Sequence, residues 1–148
     1  MADRYLEPGA FTRQVFNRTV AFLTSAGVSL MGSRVLRVRG RSSGEWRETP
    51  VNLLILGGDR YLVAPRGHTQ WVKNLRVAGT GELRVGRRTE TFTAQELPDA
   101  EKPPVIRAYL KKWKWEVGQF FPDMDETSSD EKLLAEAPGF PVFRIRTA

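Results

Sequence analysis

Cysteine is absent from the 148 residues, which removes disulfides, thiolate metal sites, iron–sulfur clusters and cysteine nucleophiles together. Histidine occurs once, at His68, so a zinc or non-haem iron centre would draw nearly all its ligands from carboxylates. No apolar run approaches the ~18 residues of a membrane-spanning helix. The start, Met1-Ala2-Asp3-Arg4-Tyr5-Leu6-Glu7, carries acids where a secretory leader needs a basic stretch and then an apolar one. A cytoplasmic protein is the expectation. Tyrosine is scarce too, with none after Tyr109.

Hydrophobic residues make up 41% of the chain, enough to build a core and to set intrinsic disorder aside as a global description. A chain of this length buries roughly 70% of its unfolded surface as one domain. A single domain over 1–148 is expected. Charge is distributed unevenly. Residues 34–88 hold twelve Lys/Arg against four acids, while residues 96–137 hold ten acids against six bases. The positive half is almost all arginine, the residue suited to planar, bidentate recognition of phosphate and carboxylate. An anionic partner follows: nucleic acid, lipid headgroups or a phosphorylated small molecule.

Along the chain, residues 10–27 read as an amphipathic helix, with Phe11, Val15, Phe22 and Ala26 on one side. It lies across the core or, alternatively, against a membrane surface. From Arg34 to Leu97 the period is two, with strands at Val35–Arg39, Pro50–Leu56, Tyr61–Ala64, Glu82–Val85 and Thr89–Leu97. Gly57-Gly58-Asp59 is a hairpin signal, and a short helix interrupts the strands at Gln70–Val77. A second helix spans Pro103 to about Gln119 and a third Asp130–Ala137, opened by a Ser128…Glu131 capping box. Pro141–Arg146 is a closing strand. About five or six antiparallel strands with peripheral helices make a small barrel, a mainly β (α+β) fold.

Gly40-Arg41-Ser42-Ser43-Gly44 matches the G-x-S-x-G pattern of serine hydrolases, but it sits between two strands without the strand–elbow–helix setting the chemistry needs. It reads as a basic hairpin whose N–H groups and flanking Arg41 and Arg47 suit an anion. Gly79-x-Gly81 lacks the rest of a dinucleotide fingerprint. Asp123, Asp125 and Glu126 lack the glycine and closing glutamate of a calcium loop, so no metal is expected. Trp113, Trp115, Phe120 and Phe121 beside Lys111, Lys112 and Lys114 resemble single-strand nucleic-acid surfaces, yet at helical spacing they read as core.

Two segments together resemble a known family. Gly40-Arg41-Ser42-Ser43-Gly44-Glu45-Trp46-Arg47-Glu48-Thr49-Pro50 is similar to the G-R-x-S-G-x-x-R-x-x-P segment of the deazaflavin-dependent nitroreductase and quinone reductase family. Ala64-Pro65-Arg66-Gly67…Gln70-Trp71-Val72-Lys73-Asn74-Leu75 resembles its second signature, a basic-glycine loop followed by W-x-x-N-L. The resemblance implies a split β-barrel of the FMN-binding type, with a helix about 10–27, a barrel about 34–97 and C-terminal helices and strand about 103–146. It also implies coenzyme F-420, an 8-hydroxy-5-deazaflavin with a phosphodiester-linked polyglutamate tail. The tail would lie on Arg41, Ser42, Ser43 and Arg47, with Pro50, Arg66, Gly67, Trp71 and Asn74 around the ring.

Nitroimidazole-reducing members carry several late tyrosines, where this chain, with none after Tyr109, offers Trp113, Trp115, Phe120 and Phe121; its candidate pocket residues are Tyr109, Trp113 and Phe121. The resemblance therefore implies hydride transfer to a quinone-like or other electron-poor acceptor, with those three in the substrate pocket. FMN in a related split barrel is the alternative cofactor, and a basic nucleic-acid or anionic-membrane module the alternative function. No nucleic acid is expected as partner on the first reading. Oligomeric state and catalytic residues are left open. His68 reads as a loop-shaping residue rather than a proton donor.

Overall fold

The alternating segments expected from the sequence become strands β1 (Ser33–Arg39), β2 (Trp46–Leu56), β3 (Asp59–Val63), β4 (Thr80–Val85), β5 (Arg88–Glu96) and β6 (Val142–Thr147). The computed structural model describes residues 33–148; the helix expected over 10–27 lies outside them. The strands close into an antiparallel barrel in the order β1-β2-β3-β6-β5-β4, β4 returning to β1. Helix α1 (Gln70–Ala78) follows β3, and α2 (Pro103–Val117) and α3 (Asp130–Glu136) lie between β5 and β6. This is the mainly β fold with peripheral helices that the sequence implies.

Side chains one residue apart point to opposite faces of a strand, and the barrel wall therefore serves two cores. Leu36, Leu53, Leu62, Leu83, Phe92, Phe143 and Ile145 form one cluster, into which α1 sets Val72 and Leu75 like a stopper in one mouth of the barrel. Leu54, Tyr61, Val63 and Val142, on the opposite face, pack under α2 and α3 against Ile106, Tyr109, Leu110, Trp113 and Leu133. Each fully buried large apolar side chain contributes about 1.5–3 kcal/mol. Gly81 stands opposite Phe92 because nothing larger fits: a Cβ there would lie 2.8 Å from the Phe92 ring and 2.9 Å from the Arg37 carbonyl oxygen.

The second mouth is polar. Arg60, two residues before Leu62, makes paired hydrogen bonds of 2.7 and 2.8 Å to Glu90, two residues before Phe92. Arg60 also donates to the Thr147 hydroxyl at 3.0 Å, and that hydroxyl donates to Glu90. Together these side chains close the barrel with a charge-assisted network.

Several strand ends shift by one to four residues from the sequence reading, and two differences have a clear physical cause. β2 begins at Trp46 rather than Pro50, since Arg39 pairs with Trp46 and the register runs on to Ser33 opposite Asn52. Pro50 is tolerated because β2 pairs with β3 only from Leu53 onward, leaving Pro50 a side without a partner strand among the described residues. The cap of α3 is Ser129, whose hydroxyl accepts from the Lys132 N–H at 3.1 Å, and Ser128 instead accepts from the Asp125 N–H at 3.0 Å.

Candidate functional site

β2 pairs with β1 over Trp46–Asn52 but with β3 only from Leu53 onward, so the β1–β2 hairpin projects past the barrel wall and leaves an opening beside it. The opening is a solvent-facing cleft of about 460 Å³. One wall is the β1–β2 hairpin with Gly40, Arg41, Ser42 and Ser43, continued by Arg47, Glu48 and Thr49 on β2. The other wall is the β3–α1 connection and the first turns of α1, with Arg66, Thr69, Gln70, Trp71 and Asn74. Gly67, at φ 89°, makes the turn between Arg66 and α1, a conformation that a residue with a Cβ rarely adopts.

The hairpin is closed by its own backbone. The Gly40 N–H donates to the Glu45 carbonyl at 2.8 Å and the Gly44 N–H to the Gly40 carbonyl at 2.9 Å. Ser43 Oγ accepts from the Glu45 N–H at 3.1 Å. At its base the Arg39 guanidinium lies 4.3 Å from the Trp46 ring centroid and donates to the Gly44 carbonyl at 3.0 Å. The tip is fastened to α1 at Asn74, whose Oδ1 accepts from the Arg41 N–H at 3.1 Å and from the Arg41 guanidinium at 2.8 Å.

Electrostatically the cleft is positive. Among the described residues its one carboxylate, Glu48, is engaged by Arg37 at 3.0 Å and by Arg84 at 3.7 Å. Among the described residues neither Arg41 nor Arg47 forms an ion pair with a carboxylate. Thr69 stands at the N-terminus of α1, 5% exposed, yet its hydroxyl neither caps the helix nor finds another partner among the described residues. A buried hydroxyl left unpaired costs roughly 1–3 kcal/mol. Such an atom beside a cleft of guanidiniums and open helix N–H groups matches a ligand rich in oxygen acceptors.

The structure thus brings Arg41, Ser42, Ser43, Arg47, Arg66, Trp71 and Asn74 to one cleft. It does not bring Pro50 or Gly67 to the lining: Pro50 lies further along β2 and Gly67 is a buried turn. Nor do Tyr109, Trp113 and Phe121 reach it. They are 2%, 0% and 2% exposed in the core under α2, with Tyr109 5.1 Å from Trp113 and Phe121 stacked 4.4 Å from Phe140, centroid to centroid. Sequence reading missed Thr69, Gln70 and Thr49. Thr69 carried a signal, a threonine at the position that starts a helix. His68 points elsewhere, its Nε2 lying 2.9 Å from the Pro138 carbonyl oxygen. No group of metal-ligating side chains occurs among the described residues. No helix among them is long and apolar enough to cross a membrane.

Solved structures share this architecture at low identity, which establishes the fold alone. A protein of unknown function from Agrobacterium tumefaciens matches with TM-score 0.57 at 15% identity, over 96% of this chain and 57% of its own; the chain spans little more than half of that relative's length. An F420-H2 dependent reductase matches with TM-score 0.54 at 18% identity, over 78% of this chain and 94% of its own. A chain described as a domain-swapped dimer matches with TM-score 0.56 at 19% identity, over 95% of this chain and all of its own, 100%. No curated protein matches the sequence. In sequence the pattern that matches is the one described as F420H(2)-dependent quinone reductase, over residues 11–118, a span that includes the hairpin, the Arg66 loop and α1, and the chain belongs to that family.

Proposed function

We propose that the cleft between the β1–β2 hairpin and α1 binds coenzyme F-420 and that the protein reduces a flat, electron-poor acceptor of the quinone class. The observation that carries this reading is the pair Arg41 and Arg47, two guanidiniums on the lip of one cleft with no carboxylate among the described residues set against them. An arginine pair left unneutralised within a folded protein is suited to an external phosphate or carboxylate. On this reading the phosphodiester and polyglutamate tail lie on Arg41, Ser42, Ser43 and Arg47. The ring lies deeper, toward Arg66, Thr69 and Trp71. The cavity volume of about 460 Å³ falls in the range of ligand clefts, about 300–1,000 Å³.

Bound there, the coenzyme supplies a ring carbon that gives or accepts a hydride. The chain's own contribution is to bind and orient. Arg66 and the Thr69 hydroxyl offer donors to a carbonyl edge, Trp71 offers an apolar face, and the α1 N-terminus favours negative charge. This division of labour needs no nucleophile, metal or histidine. The family description supports a quinone as acceptor, and the absence of tyrosine after Tyr109 sets the chain apart from a tyrosine-lined nitroimidazole pocket. The single-domain organisation over 1–148, a cytoplasmic location and membrane contact through 10–27 belong to the same proposal.

Calorimetric titration of oxidised coenzyme F-420 tests the cofactor, with a dissociation constant of about 1 μM or tighter expected, near −8 kcal/mol. Single-turnover oxidation of the bound reduced coenzyme by a soluble naphthoquinone, with a nitroimidazole as comparator, tests the acceptor. Faster oxidation by the nitroimidazole would overturn the acceptor class.

A further inference from the structure

Asn74 is buried, 5% exposed, in the middle of α1, and a buried side-chain amide must be hydrogen-bonded or cost stability. Its Oδ1 accepts twice, from the backbone N–H of Arg41 at 3.1 Å and from the guanidinium of the same residue at 2.8 Å. An amide oxygen has two lone pairs, so both are committed to one residue, 33 positions earlier in the chain. The hairpin's internal bonds, among Gly40, Ser43, Gly44 and Glu45, set its shape but not its direction relative to α1. Among the described residues, the hydrogen bonds that leave the hairpin tip for an element beyond its own strands both end on Asn74.

We infer that Asn74 is a positioning residue, a latch that holds the hairpin tip against α1 and aims Arg41 across the cleft before any ligand arrives. The inference rests on the reading of this cleft as the coenzyme site. A guanidinium has five N–H donors in a rigid fork. Spending one of them on Asn74 fixes the plane and direction of the others. Binding then does not have to order a long, exposed arginine on a two-strand projection, and an ordering cost borne in folding is not borne again in binding. The side chain at this place must be an acceptor of this length. Aspartate keeps the acceptor and removes the amide donor; alanine removes both.

Amide exchange in the coenzyme-free protein reads the latch directly. The Arg41 N–H, on an exposed residue, is protected in the wild type. In Asn74→Ala it exchanges at least about tenfold faster, as expected for a surface amide released from its acceptor, and in Asn74→Asp it stays near the wild-type rate. Titration with oxidised coenzyme F-420 at stepped salt gives the second readout. Asn74→Ala binds about tenfold more weakly and with a shallower salt dependence, because the lost interaction is the screened Arg41 contact. Unprotected Arg41 in the wild type, or unchanged exchange in Asn74→Ala, overturns the latch. Weaker binding with an unchanged salt dependence overturns it too, and makes Asn74 a direct ligand contact. If wild-type protein fails to bind the coenzyme, the cofactor reading falls, and the exchange measurements still decide the latch.

Discussion

At the scale of single residues, chemistry and packing compete for the same side chains. His68 is the lone histidine, beside the loop that lines the cleft, and its placement resolves what it does. A carbonyl oxygen can only accept, so His68 Nε2 donates to Pro138 at 2.9 Å, tying the β3–α1 loop to the turn before β6. His68→Ala is expected to lower stability by about 1 kcal/mol, the worth of one such bond, while turnover stays within about tenfold of wild type, a barrier change under ~1.4 kcal/mol. A loss beyond about a hundredfold in single-turnover oxidation would make it a proton donor. Glu90 gives the pH signature. Hydrogen bonds from Arg60 hold its carboxyl below the usual carboxylate range, aided by Thr147 and opposed by partial burial. A depressed native pKa stabilises the fold above the unfolded value of ~4.3 and loses that contribution as pH falls through the native value. Melting temperatures measured from pH 6 downward should therefore show a shallower acid limb for Glu90→Gln than for wild type, and superimposable limbs would place the acid sensitivity elsewhere. The basic hairpin residues were legible because arginine density and flanking glycines are local signals. Thr69 offered the sequence only a helix-start signal, and the missing hydrogen bond that marks it as part of a site is visible only in three dimensions.

Elements were legible where their period was uninterrupted. The strands around Leu36, Leu62 and Phe92, and helix α1, follow from alternation and from Val72 and Leu75 at helical spacing. Boundaries failed where a local rule met a tertiary exception. Pro50 reads as a strand start, yet an unpaired side of β2 lets the strand run back to Trp46. With Ser128 and Ser129 adjacent, the choice of cap turned on which hydroxyl faced the Lys132 N–H. The aromatic residues of α2 and the turn after it are the sharper case. An apolar helical face is required equally by a pocket and by a core, and only the outward-facing Leu54, Tyr61 and Val63 of the barrel wall decide for the core. Trp113→Ala should accordingly destabilise the fold by about 3–5 kcal/mol in denaturant unfolding. At a temperature where the variant remains folded, its apparent KM for quinone should be unchanged. A raised KM without loss of stability would return Trp113 to the substrate pocket.

Across the described residues, the excess of arginine falls on the barrel span and the excess of acids on the span that carries α2 and α3. The arginine-rich span from β1 to β5 builds the cleft, and the acidic span carries α2 and α3 on the far side. Field and cavity therefore coincide, which is the arrangement expected for capture of a polyanionic ligand. Family membership over residues 11–118 and the split-barrel architecture are consistent with that coincidence. The cleft as coenzyme site is the central claim, and one comparative titration tests it most directly: oxidised coenzyme F-420 and FMN, each against wild type and against Arg41→Ala/Arg47→Ala, by calorimetry at low and high salt. Wild type is expected to bind the deazaflavin at about 1 μM or tighter and to prefer it over FMN. The double variant should lose about 3–6 kcal/mol, two charge-assisted contacts of ~1.5–3 kcal/mol each, together with most of the salt dependence. Preference for FMN, or a double variant that binds coenzyme F-420 as tightly as wild type, would contradict the account.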